Sequence, residues 1–172
     1  MTTYVAFVRG INVGGKTVKM DALRKMFESL GYNDVSTFKA SGNVIFDASG
    51  SEKANTKKIE SGLHKLIGSE TRVILRAMDS LKEMVAGEPF KGVKDEPGTR
   101  LYVTFLPDGA RPKTKERGDG TYSMRAAGSE IYSVLSPAAK TVDIMGMLDK
   151  EFGKVVTTRN WNTVTGIAGL DS

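Results

Sequence analysis

The chain has 172 residues, a net charge of +5 and no cysteine. That length suffices for one large domain or two small packed lobes, and 40% hydrophobic with 26% charged residues can build a core without disulfides or a structural metal. The missing cysteines exclude a disulfide framework, thiolate zinc sites, iron–sulfur clusters and a thiol nucleophile, and they fit a reducing compartment.

Residues 1–9 are apolar only briefly, with no basic leader and no small-residue cleavage site, so a strand over 3–9 is expected rather than a signal peptide. No run approaches the roughly 18 apolar residues of a membrane span, and a cytosolic protein is expected. A glycine-rich loop follows over 10–19. Met20, Leu23, Phe27 and Leu30 then recur at helical spacing until Gly31, a plausible residue just past a helix end. Strands are predicted over 35–40 and 44–47, around the turn Ser41-Gly42-Asn43. Ser51 can cap a second helix with Ile59, Leu63, Leu66 and Ile67 on one face, stopped by Gly68, and a strand over 71–77 closes the lobe. The order β-α-β-β-α-β is the ferredoxin-like split unit.

The strands of this first lobe, residues 1–78, are apolar on both faces: Val5 and Phe7 on one, Tyr4, Ala6 and Val8 on the other. Such a sheet is covered on both sides. Its helices cover one, and the second lobe is expected to cover part of the other, packing the whole as one compact unit. That second lobe, residues 79–172, opens with the capping box Ser80-Leu-Lys-Glu83 and a short helix carrying Leu81, Met84 and Val85. Two prolines and three glycines make 87–98 a loop or hinge. A strong strand over 100–106, a turn-rich mobile stretch over 107–120, and a hairpin of 121–126 with 130–135 around Gly128 follow. Met145, Leu148 and Phe152 mark a helix ending at Gly153, and Thr157 or Thr158 caps a last helix with Trp161, Val164 and Ile167. The predicted class is α+β, a ferredoxin-like βαββαβ first lobe packed with a second, smaller α+β lobe.

Three polar segments stand out. In Arg9-Gly10-Ile11-Asn12-Val13-Gly14-Gly15-Lys16, glycines between a strand and a helix let the backbone approach a ligand, and exposed N–H groups near a helix start favour an anion, with Arg9 and Lys16 adding charge. The spacing matches neither a Walker A loop nor a dinucleotide fingerprint; the plainer reading is a tight connection with a surface lysine. Ser41-Gly42-Asn43 is chiefly hairpin chemistry, yet the topology places this turn beside the glycine loop, where Ser41 and Asn43 could offer hydrogen bonds. In Thr157-Thr158-Arg159-Asn160-Trp161-Asn162-Thr163, a capped helix start anchored by Trp161 competes with a polar site in which Thr158, Arg159 and Asn160 recognise a planar anion.

The remaining chemistry is thin. His64 is the single histidine, off the apolar stripe of its helix, and reads as a surface residue without a base–orienter arrangement. No acidic cluster points to a metal. The charge is diffuse, with 13 basic against 10 acidic side chains in residues 1–88 and 12 against 10 in 89–172, and the one compact basic run is 111–117. Such an even excess is more often a solvated surface than a nucleic-acid footprint.

The stretches Phe7-Val-Arg-Gly-Ile-Asn-Val-Gly-Gly-Lys16, Met20 to Gly31 and Ala40-Ser-Gly-Asn-Val-Ile-Phe46, with the late Thr157-Thr-Arg-Asn-Trp-Asn-Thr-Val164, resemble the family catalogued as domain of unknown function 1697. The resemblance implies a bacterial-type or archaeal-type cytosolic protein with a ferredoxin-like first lobe and a second α+β lobe. It marks Arg9, Gly10, Asn12, Gly14, Gly15, Ser41, Gly42, Asn43, Thr158, Arg159, Asn160 and Trp161 as shared residues, and it implies no activity, cofactor or catalytic residue. The reading favoured is a small anionic, phosphorylated ligand held in a cleft of loop 9–16, turn 41–43 and segment 157–162. Whether the cleft also catalyses is open, since no general base is evident. RNA or DNA binding through the basic surface and a protein-interaction module are the alternatives.

Overall fold

Strand β1 (Thr2–Val8) carries five consecutive buried residues, Tyr4 to Val8, as a strand with apolar side chains on both faces should. The computed structural model describes residues 1–10, 18–39, 42–94 and 96–170, and these divide into two units, Met1–Glu83 and Met84–Ser172. Among the described residues no helix is long and apolar enough to cross a membrane.

In the first unit β1 is central. It pairs antiparallel with β3 (Asn43–Ala48) on one side and β4 (Val73–Ala77) on the other, and β2 (Asn33–Phe38) extends the sheet beyond β3. The order β2-β3-β1-β4, with α1 (Met20–Ser29) and α2 (Glu52–Ile67) as the two connections, is the predicted ferredoxin-like unit. Tyr4, Ala6 and Val8 face the helices and pack with Phe46, Leu23, Phe27, Ile59 and Leu63. The ring of Phe46 lies 5.2 Å from that of Phe27 and 4.6 Å from that of Tyr32, the spacing of favourable aromatic pairs. Local signals hold where chemistry is unambiguous: Ser51 Oγ accepts from the Ala54 N–H at 3.1 Å to start α2, and Gly68 ends it at φ +83°. The fourth element differs. β4 runs without a linker into α3 (Met78–Ala86), so Ser80 lies inside the helix and its capping box does not open it.

The second unit is built on a five-stranded antiparallel sheet, β6 (Glu116–Gly118), β7 (Tyr122–Ala127), β8 (Glu130–Leu135), β5 (Arg100–Phe105) and β9 (Thr157–Asn160), in the order β6-β7-β8-β5-β9. β7 and β8 form the predicted hairpin, Ala127 opposite Glu130 and Gly128 at φ +60°. Helix α4 (Ile144–Phe152) is capped by Asp143, whose Oδ1 accepts from the Gly146 N–H at 3.0 Å. Its Ile144 and Leu148 bury against Met124, Ile131 and Leu135 on one face of the sheet. On the other face α5 (Trp161–Ala168) packs over β5 and β9.

Two expectations are corrected here. The stretch 107–120 contains strand β6. Thr157 and Thr158 are not helix caps: they belong to edge strand β9, and the cap of α5 is Asn160, whose Oδ1 accepts from the Asn162 N–H at 2.8 Å. Threonine suits a cap and a strand equally. The open edge of β5 decides between them by pairing the backbone of four residues where a cap would satisfy one amide.

Candidate functional site

The end of the first sheet draws three chain segments together. The N–H of Val8, the last residue of β1, donates to the carbonyl of Gly42 at 2.9 Å, and the next N–H, Arg9, donates to the carbonyl of Arg72 at 2.9 Å. Half-buried Arg9 and exposed Gly10 therefore leave β1 between the beginnings of β3 and β4. Gly10 at φ +68° and Gly42 at φ +83° occupy the left-handed region that glycine enters without strain. A Cβ on Gly10 would meet no atom within 4 Å, so glycine serves the backbone angle there, not a tight fit. Asn12, Gly14, Gly15, Lys16 and Ser41 lie outside the described residues.

Helix α1 follows the loop, and Lys19 at its N-cap position supplies no capping side chain. Its one first-turn acid, Asp21, is engaged by Arg24 at 2.5 Å and Lys25 at 3.1 Å. Hydrogen bonds from Arg24 and then Lys25 hold that carboxyl below its usual range. The neighbouring Arg72 pairs with Glu70 at 3.1 Å and lies 4.0 Å from Glu60. Asn43, expected to face a ligand, is fully buried, and its Nδ2 donates to the Phe38 carbonyl at 2.9 Å across the hairpin. Its amide braces the turn from inside.

Thr158, Arg159 and Asn160 stand in the second unit, each with a local partner. The hydroxyls of Thr158 and Thr104 are 2.7 Å apart on paired strands. Arg159 is 9% exposed, its Nη1 donates to the Thr158 carbonyl at 3.1 Å, and burial lowers its pKa to about 10. Asn160 caps α5 as described. The structure thus joins Arg9, Gly10 and Gly42 at one sheet end and gives the late segment its own role in β9. His64 is exposed in the last turn of α2, as expected. Among the described residues no group of histidines and carboxylates could hold a metal. Nucleic-acid binding on a sheet of this topology needs exposed rings on its central strands, and Tyr4 on β1 is instead buried beneath the helices and donates its hydroxyl to the Gly50 carbonyl at 3.1 Å.

One concavity was not foreseen. It lies wholly in the second unit, measures about 700 Å³, and has Arg125 and Tyr132 in its lining. Its signal was present in β7, where Arg125 interrupts an otherwise small and neutral run, Met124-Arg125-Ala126-Ala127.

The comparisons agree with this fold. The sequence pattern of the family described as "Protein of unknown function (DUF1697)" matches residues 1–132, and the chain belongs to that family. The matched span contains the glycine loop and the 41–43 turn and ends before Thr157. In structure the chain is similar to SP0830, a conserved bacterial protein from Streptococcus pneumoniae, with a TM-score of 0.74 over 98% of this chain and 97% of that one at 21% identity. At that identity the likeness concerns the fold. No curated protein matches the chain.

Proposed function

We propose that this member of the DUF1697 family binds a small anionic, phosphorylated ligand at the end of its first sheet, where the loop after β1 meets the turn before β3. The observation that carries this reading is that the chain leaves β1 through half-buried Arg9 and left-handed Gly10 directly after the Val8 N–H donates to the carbonyl of left-handed Gly42. A left-handed residue next to a right-handed one turns successive backbone N–H groups into a concave arrangement suited to an anion. The start of α1, with no capping side chain from Lys19, adds the positive end of a helix dipole to the same connection. A guanidinium can then bind two oxygens of one phosphate in a planar fork.

The test is the thermal midpoint of the full chain against inorganic phosphate, sugar phosphates and nucleoside phosphates, with Arg9→Gln in parallel. A ligand at a hundredfold excess over its dissociation constant should stabilise the native state by about 2.7 kcal/mol. Losing a bidentate charge-assisted contact should weaken it tenfold or more. Silence from every phosphate up to about 10 mM, well above a millimolar dissociation constant, would sink the proposal.

A further inference from the structure

The second sheet has one face that α5 covers chiefly over β5 and β9. Over β6, β7 and β8 the same face opens into the concavity of about 700 Å³, within the usual size of small-molecule sites. Its floor is set by register. Arg125 lies opposite Tyr132, and Ser123 opposite Val134, so all four side chains share this face. One wall is the segment following α3. There Phe90 stands edge-on to Tyr132, 5.6 Å away at 90°, and to Trp161, 5.0 Å away at 70°. The facing wall is the turn before β7, where Asp119 Oδ1 accepts from the Thr121 N–H at 2.8 Å, the Thr121 hydroxyl at 2.6 Å and the Tyr122 N–H at 3.2 Å.

Arg125 is the decisive group. It is half-buried, its guanidinium sits 5.3 Å above the ring of Tyr132, and its Nη2 donates to the Pro89 carbonyl at 2.9 Å. Those two contacts fix its plane and use one of five N–H donors. The ion pairs of this unit include Lys94–Glu96 and Arg117–Glu151. Arg125 joins neither, and Glu116, its cross-strand neighbour, forms no ion pair with it. A guanidinium held rigid, half out of water and outside ion-pair distance of the Glu116 carboxylate across the strands keeps donors for an anion brought from outside. Of the other charged residues in the lining, exposed Lys91 and exposed Glu116 offset one another and Arg117 is paired with Glu151, so Arg125 sets the sign of the concavity. The half-buried ring of Phe90 in the same lining, with the largely buried Tyr132 beside it, offers a surface to a flat apolar group.

We infer that this concavity binds a small molecule with a planar aromatic ring and an anionic group, the ring against Phe90 and Tyr132 and the anion on Arg125. It is independent of the first-sheet site and shares no residue with it. A nucleoside monophosphate and an aromatic carboxylate both have this chemistry.

The full chain is titrated with adenosine monophosphate and with indole-3-carboxylate, and with adenosine and inorganic phosphate as the separated halves. Calorimetry gives affinity. Trp161, the single tryptophan and in contact with Phe90, gives a fluorescence signal for the first probe. One or both ringed anions should bind with a dissociation constant at or below about 1 mM, tenfold or more tighter than either half. Which one binds identifies the anionic group. Arg125→Gln should weaken binding tenfold or more, read by Trp161 fluorescence for adenosine monophosphate and by calorimetry for indole-3-carboxylate; the Trp161 signal arises at Phe90 and so separates this site from the phosphate site proposed above. Because Arg125→Gln also alters the tie to Pro89, Ser123→Tyr is the second variant. Ser123 is exposed on the floor, so a large ring there fills the concavity and should abolish binding with the fold intact. If neither ringed anion binds below about 10 mM, or if binding survives both variants, the inference is wrong.

Discussion

At Thr157 two readings of one residue make opposite predictions. As a helix cap it would accept an N–H, and its loss would cost about 1 kcal/mol. In the structure it is a strand residue, 2% exposed, and among the described residues its Oγ1 has no hydrogen-bond partner. A buried hydroxyl without a partner carries its desolvation cost uncompensated. Thr157→Val keeps the β-branched shape, removes that oxygen and fits the strand. Urea denaturation should show Thr157→Val more stable than the parent by about 1 kcal/mol; a loss of that size would restore the cap. Asn43 teaches the same lesson at a polar residue with a strong turn signal. Sequence placed it in the turn, and only the sheet shows that its amide is turned inward onto Phe38. That the end of β1 lies beside Gly42 was legible because topology alone sets β1 next to β3, and the Val8 N–H donates to the Gly42 carbonyl there.

At the level of elements, strands and helices with a long apolar period were readable, and those defined by a partner were not. α2 announced itself by Ser51, Ile59, Leu63 and Gly68 in sequence, all local signals. β6 and β9 did not, since three and four mostly polar residues become strands only by pairing with β7 and β5. The second-unit concavity was hidden for the same reason. Its walls and floor come from segments that meet through sheet register, and nothing in the spacing of Phe90, Arg125 and Tyr132 declares it. Gly118 tests how closely that pairing is built. A Cβ there would collide with the carbonyl oxygen of Tyr122 and lie 3.2 Å from the Cα of Ser123, both backbone atoms that cannot rotate aside. Gly118→Ala must part β6 from β7, and by the usual cost of overpacking it should destabilise by about 1–3 kcal/mol. Amide exchange should quicken in β6 and in the facing half of β7 while β5 and β8 stay protected. Unchanged stability would mean that β6 is held more loosely than its register indicates.

For the whole molecule, the sign and spread of charge bear on nucleic acid. A net +5 shared almost evenly along the chain gives no single segment dense enough to neutralise many phosphates by itself. The compact run 111–117 is weaker in three dimensions than in sequence. Arg117 is half-buried and paired with Glu151 at 3.1 Å, and Glu151 also accepts from the Lys113 N–H at 3.1 Å. That leaves Arg111, Lys113 and Lys115 exposed. Three phosphate contacts on a single strand correspond to a slope of about −2 in log affinity against log salt. Stacking would have to make up the rest, and Tyr4 on the central strand of the first sheet is buried under helices. Short single-stranded RNA should therefore bind weakly and with a slope no steeper than about −2 when salt is varied, measured by fluorescence anisotropy. A slope near −5 would require basic side chains from distant parts of the sequence to act on one strand together. In that case the phosphate preference proposed for the first sheet would be better understood as part of a nucleic-acid surface.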